Sequence, residues 1–317
     1  MAIEASTGFY ELQNNAFLLK EAPQDVTAFG TTVLRIHMLE GYTRLKGLQR
    51  DPWMFANLMA VSGLFCAWAA WCQRGWLRYL GLLCSFPFAY LCFFSTGRSG
   101  LTGLLGGLLF LCCGGVFRRS RFVFRFLPVA AIVIAVFVTL SGILPIVTFV
   151  SEKVFGESYI GNVESSADRD EVWAMVMYKL TAQEPLSLIV GAPLVAVFDP
   201  TVTPYLIADN MYLYLVYHTG LAGLFVVVSM LTMPFLLLRK DDVISETHLL
   251  WFVFCGFVIA SGVGLESIFY ATTPFLLIPY GMIMTGVTLQ RKSLRRSREA
   301  NAGEVGSTRA AIPGCSR

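Results

Sequence analysis

From Trp53 onward the chain is dominated by uninterrupted apolar runs, at roughly residues 53–71, 77–94, 101–117, 127–150, 211–238, 248–265 and 268–289. A helix needs about 18 or more such residues to cross hydrocarbon. The pattern therefore predicts an all-α polytopic membrane protein with about seven transmembrane helices. The third run is short and rich in glycine. Residues 1–52 mix polar and apolar positions with both signs of charge, and they read as a soluble stretch with neither a signal peptide nor a spanning run. A further apolar patch, residues 186–198, contains Gly191 and Pro193 and is too short to cross, which suits an interfacial or re-entrant piece.

Composition agrees with the pattern. The 317 residues are 56% hydrophobic and 14% charged, with a mean hydropathy of +0.63, outside the usual soluble range. A net charge of +3 is too small to suggest nucleic acid as a partner. Most of the eight cysteines lie inside apolar runs, where cysteine acts as a small hydrophobe. No CxxC pair or Cys/His spacing points to zinc, so no disulfide framework, metal or cofactor is implied. No internal repeat of fixed period is visible, so a transporter built from sequence repeats gains no support.

Basic residues set the orientation, because basic loops stay on the cytoplasmic side. Arg118, Arg119, Arg121 and Arg125 follow the third run, Arg239 and Lys240 the fifth, and Arg291, Lys292, Arg295, Arg296 and Arg298 the seventh. Arg74 and Arg78, between the first two runs, fall inside by the same alternation. The expected organisation is an outward N-terminal segment (1–52), four membrane helices (53–150), a periplasmic loop (151–210), three membrane helices (211–289) and a basic cytoplasmic tail (290–317). A polar outward segment of this length has no span before it to translocate it, so further helices are expected upstream.

Loop 151–210 is the longest connection and the first place to look for chemistry. In it Val172, Met175, Val176 and Leu180 recur at helical spacing, so Ser166 or Asp168 would cap an amphipathic helix on the membrane surface. Arg169 then falls in the first turn, where a cation opposes the helix dipole and suits a bound anion or a salt bridge with Asp170 or Glu171. Arg98 sits at the outer surface, placed either for an anionic group or for snorkelling to lipid phosphates. The glycines from Gly97 to Gly107 suit tight helix packing more than a phosphate cradle. Asp209 and Asn210 open the fifth span, as a base and an acceptor-orienting amide or as helix caps. His218 reads as a packed polar residue. Glu266, in an outward turn, either pairs with an arginine or faces water.

Three stretches carry a family resemblance. GYTRLKGLQRDPWMFANLMA has an arginine, a glycine, then Asp-Pro and Ala before a span, and FSTGRSGLTGLLGGLLF is a Ser/Gly/Arg helix start. ESSADRDEVWAMVMYKLTAQEPLSLIVG, followed by DNMYLYLVYHTGLAGL, combines a Ser/Arg/Trp helix, a Pro and Gly turn, and a polar-Asn-x-Tyr-Leu helix with a downstream glycine pair. In this order they resemble the O-antigen ligase and polymerase superfamily, membrane glycosyltransferases that use undecaprenyl pyrophosphate-linked sugars. The likeness spans Arg44 to Gly223.

The resemblance implies a helical bundle like that of the GT-C glycosyltransferases in the bacterial inner membrane, with its active side in the periplasm. It implies Arg44, Arg98 and Arg169 as ligands of the donor pyrophosphate, without a bound metal, and Arg169, Asp209 and Asn210 as catalytic residues, the last two at the acceptor hydroxyl. Implied partners are undecaprenyl pyrophosphate-linked oligosaccharides, membrane lipids, a chain-length regulator and a flippase. Ligases usually carry His-Asn where this chain has Asp209-Asn210, which favours polymerisation of polysaccharide repeat units over transfer to lipid A core or protein. Members usually have several more spans upstream. A transporter or flippase is the alternative of another class and would place ionisable residues deep within spans, whereas here they cluster at the ends. An inactive truncated paralogue is a third.

Overall fold

In hydrocarbon every backbone N–H and C=O has to be satisfied within its own segment, so apolar runs of this length fold as helices. A computed structural model describes residues 1–16, 18, 25–28, 31–34, 38–39, 42–43, 45–49, 52–95, 97–116, 121–140, 173–183, 185–199, 201–202, 210–236, 246–262 and 281. Its helices are α1 (Ala2–Asn14), α2 (Pro52–Cys72), α3 (Trp76–Phe94), α4 (Arg98–Val116) and α5 (Arg121–Leu140). Then come α6 (173–183, ending in the π-helical turn Lys179–Gln183), α7 (Pro185–Val190), α8 (Ala192–Ala196), α9 (Met211–Leu236) and α10 (Glu246–Gly262). Strand among the described residues is confined to two short antiparallel hairpins, Asp25–Ala28 with Thr31–Leu34 and Met38–Leu39 with Tyr42–Thr43.

Among the described residues four helices are long and apolar enough to cross a bilayer: α2, α3, α4 from Ser99 onward, and α9. The chain is thus a helical membrane protein. The glycine-rich third run is among the four. The sixth run appears as α10, apolar but with 17 residues, and the fourth as α5, which begins at Arg121 rather than at 127. Residues 141–150 and, Gly281 apart, the seventh run at 268–289 lie outside the described residues.

Small residues set how the helices meet. A Cβ added at Gly100 would lie 2.7 Å from the Ala56 backbone, and Gly107 and Gly115 face Leu64 and Trp71 in turn, so α2 and α4 run parallel. The other side of α4 meets α10 in the opposite direction, with Gly103 against Phe257 and Ser261 and Gly106 against Gly256. This is the close approach that small residues allow between membrane helices, where dispersion replaces the hydrophobic effect. Gly63 against Phe88 and Gly81 against Ala70 make α2 and α3 an antiparallel hairpin.

From His248 to Gly262, α10 is buried at every position but Ala260, enclosed by α2, α4, α5 and α9. Its Trp251 Nε1 donates to the Leu231 carbonyl of α9 at 3.0 Å. By contrast α3 turns Trp76, Tyr79, Leu83 and Phe86 outward, about 70% exposed, as a lipid-facing helix does.

Candidate functional site at one end of the bundle

These directions bring the start of α2, the start of α4, the start of α9 and the end of α10 to one end of the bundle. Gly97 abuts Ala56 and would place a Cβ 3.4 Å from the Trp53 backbone. The Tyr212 hydroxyl donates to the Ile259 carbonyl at 2.9 Å, and the Met211 side chain lies under Gly262. Two of the residues singled out by sequence stand here. Arg98 is the first residue of α4; its side chain lies outside the described residues, as do Arg44, Arg169 and Asp209.

Asn210 is fully buried, and its Oδ1 accepts from the N–H groups of Tyr212 at 3.0 Å and Leu213 at 3.2 Å. That is N-capping of α9, which satisfies two amides that the helix leaves without carbonyl partners. The glycines of α4 face α2 and α10, so close packing is what they are used for in the described structure.

The loop segment ahead of α9 packs back on it. Within α6, Val176 and Leu180 are fully buried one turn apart, as the expected stripe requires, but Met175 is 38% exposed; Val172 and the expected cap lie outside the described residues. Pro185 then opens α7 at a position where its missing N–H costs nothing. Gly191 separates α7 from α8 with φ 90, and the backbone of α9 breaks at Gly220 with φ 69. The two glycines face each other's chain. A Cβ on Gly191 would strike the His218 carbonyl, and one on Gly220 the Ile189 carbonyl.

Here only glycine serves, for its left-handed φ and for the close approach. Leu186, Ile189, Leu194, Val197 and Phe198 point outward, more than half exposed. This apolar surface against the middle of a spanning helix is what a re-entrant piece would have. The His218 ring lies tilted against Tyr214, with centroids 4.1 Å apart. Beyond α8, the Thr201 hydroxyl donates to Asp199 Oδ1 at 2.6 Å, and this bond, with a second from the Thr201 N–H, holds that carboxyl below the usual range.

Three further polar residues escape a reading of local sequence. Glu4 and Glu11 of α1 hold the segment ahead of α2 through backbone amides. Asn57, in the second turn of α2, is 1% exposed, and neither its Oδ1 nor its Nδ2 has a hydrogen-bond partner among the described residues. The two glutamates lie seven residues apart on one face of α1, a spacing that could have suggested a shared target. Among the described residues no group of His, Cys, Asp and Glu is gathered that could hold a metal ion. Comparison with known protein families, with curated proteins and with solved structures finds no match.

Proposed function

We propose that the protein is a polysaccharide polymerase of a bacterial inner membrane. It would transfer glycan from an undecaprenyl pyrophosphate-linked donor to a lipid-linked repeat unit on the periplasmic face. The observation that carries the proposal is the meeting at one bundle end of segments far apart in sequence. These are residues 45–49 with the start of α2, Arg98 at the head of α4, and Asn210 at the head of α9, all within the stretches that resemble the family.

In the proposed reaction an acceptor hydroxyl oxygen attacks the anomeric carbon of the donor sugar. The bond from that carbon to phosphate oxygen breaks, and undecaprenyl pyrophosphate leaves with the electron pair. Charge grows on the leaving phosphate, and the guanidinium forks of Arg44, Arg98 and Arg169 stabilise it bidentately. Asp209 takes the hydroxyl proton, and Asn210 orients the acceptor.

One observation favours transport of a lipid-linked solute as a second reading: the break of α9 at Gly220 against a short apolar helical pair, since transporters build sites on interrupted helices. The two are separated in proteoliposomes holding the purified chain and the host's own lipid-linked repeat unit. Polymerisation predicts dimeric and longer glycans with release of undecaprenyl pyrophosphate, abolished by Arg169→Ala or Asp209→Ala although both variants insert normally. Movement of the lipid-linked unit across the bilayer without elongation would replace polymerisation by transport, and full activity of either variant would remove that residue from its role.

A further inference from the structure

Residues 45–49 close a single turn of their own, with Gln49 N–H donating to the Lys46 carbonyl at 2.9 Å, and are otherwise held from outside. Leu45 is fully buried and Lys46 is 3% exposed. Gly47 takes φ +57, and the Phe55 ring of α2 is wedged between it and Gly8 of α1. With Gly47 left-handed, successive amides of a short segment form a nest that suits an anion. Glu11 supplies the anion. It is fully buried, and one carboxylate oxygen, Oε2, accepts from Lys46 N–H at 2.9 Å and from Gly47 N–H at 2.8 Å.

Two turns earlier on α1, Glu4 Oε2 accepts from Leu48 N–H at 3.0 Å and Glu4 Oε1 from Gln49 Nε2 at 2.6 Å. The register is enforced along the helix: α1 runs antiparallel to α2, with Gly8 over Phe55 and the Met1 sulfur 3.0 Å from Ser62 Oγ. Four hydrogen bonds to two carboxylates thus add to the one internal turn bond in fixing a five-residue segment outside any helix or strand.

We infer that Glu11, assisted by Glu4, is a positioning residue for donor binding: by clamping the amides of Lys46, Gly47 and Leu48 it sets the chain that immediately follows Arg44. The role rests on Arg44 being a pyrophosphate ligand, as proposed above. A carboxylate oxygen that accepts two N–H bonds in a buried place is demanding to replace, because its removal leaves both donors without a partner. Glutamine keeps an oxygen for both amides and removes the charge, giving up only the long 3.4 Å bond that Glu11 Oε1 accepts from Leu18 N–H, whereas alanine removes the clamp. A misplaced binding group weakens the complex with donor before it affects the reacting atoms.

The test uses the full chain in proteoliposomes, with Glu11→Ala, Glu11→Gln and the parent, and the host's undecaprenyl pyrophosphate-linked repeat unit as donor. Amide exchange over 45–48 is followed by mass spectrometry beside the kinetics. Expected are fast exchange in Glu11→Ala, a rise of about tenfold in donor KM with kcat held within about threefold, and recovery of both readouts in Glu11→Gln. Unchanged exchange in Glu11→Ala overturns the clamp, and faster exchange at an unchanged KM overturns its link to the donor. A Glu11→Gln variant that protects the amides yet fails like alanine assigns Glu11 a charged role instead. An inactive parent overturns polymerisation and the positioning role with it, while the exchange data still report whether the clamp exists.

Discussion

Asn210 caps α9 with its side-chain oxygen, so capping and any part in the chemistry have to be separated by a residue that keeps one and removes the other. Asn210→Asp does this, because aspartate caps as well as asparagine but has no amide N–H to offer an acceptor sugar. A retained α9 and normal membrane insertion are expected, with elongation reduced about a hundredfold; unreduced elongation in the same reconstituted assay would leave Asn210 a cap alone. Asn57 calls for the reverse experiment. Its buried amide has no partner among the described residues, and an unsatisfied buried polar group costs about 1–3 kcal/mol. Asn57→Leu, close in volume, is therefore expected to raise the thermal unfolding midpoint in detergent, and a fall would reveal a partner for the amide. Sequence made the capping at Asn210 visible, since an Asn stands directly before a long apolar helix. It could not reveal Glu11 or Asn57: the amides that Glu11 holds lie 35 and 36 residues away, and an Asn within an apolar run reads the same whether partnered or not.

Among the elements, apolar length alone located α2, α3, α4, α9 and α10 to within a few residues, because hydrocarbon demands a continuous helix of about that length. It failed at the start of α5, where Arg121 and Arg125 are helical although charged; hydropathy marks where hydrocarbon ends, and a helix continues past it. The break in α9 was equally hidden. Gly220 stands in a run whose other glycine, Gly223, faces its own helix at Thr219, and nothing local distinguishes the two. What sets Gly220 apart is Ile189, from a segment that sequence reading could only describe as interfacial or re-entrant. Gly220→Ala tests this contact. A side chain in that backbone region costs about 1–3 kcal/mol before the collision with Ile189 is added, so a lower thermal midpoint and faster amide exchange across 185–196 are expected. Unaltered exchange there would show that the segment does not depend on α9.

For the whole molecule, the run of apolar segments and the basic clusters predict alternating directions, and α2, α4 and α9 do run opposite to α3 and α10. The packing order was not legible. That α10 sits at the centre and α3 at the periphery follows from which faces carry glycine and which carry bulky aromatics, a relation between helices rather than a property of one. The convergence of the Arg98 and Asn210 segments at one end depends on that same order, with the end of α10 standing between them. Assigning polymerisation to that end is best tested in the host cell. Deletion of the gene, followed by electrophoresis of lipid-linked and surface glycans beside the parent, is predicted to remove long polymer while single repeat units persist, with polymer restored by the wild-type gene. Long polymer stranded on its carrier lipid would assign a ligase instead, and an unchanged glycan profile would contradict any part in glycan assembly.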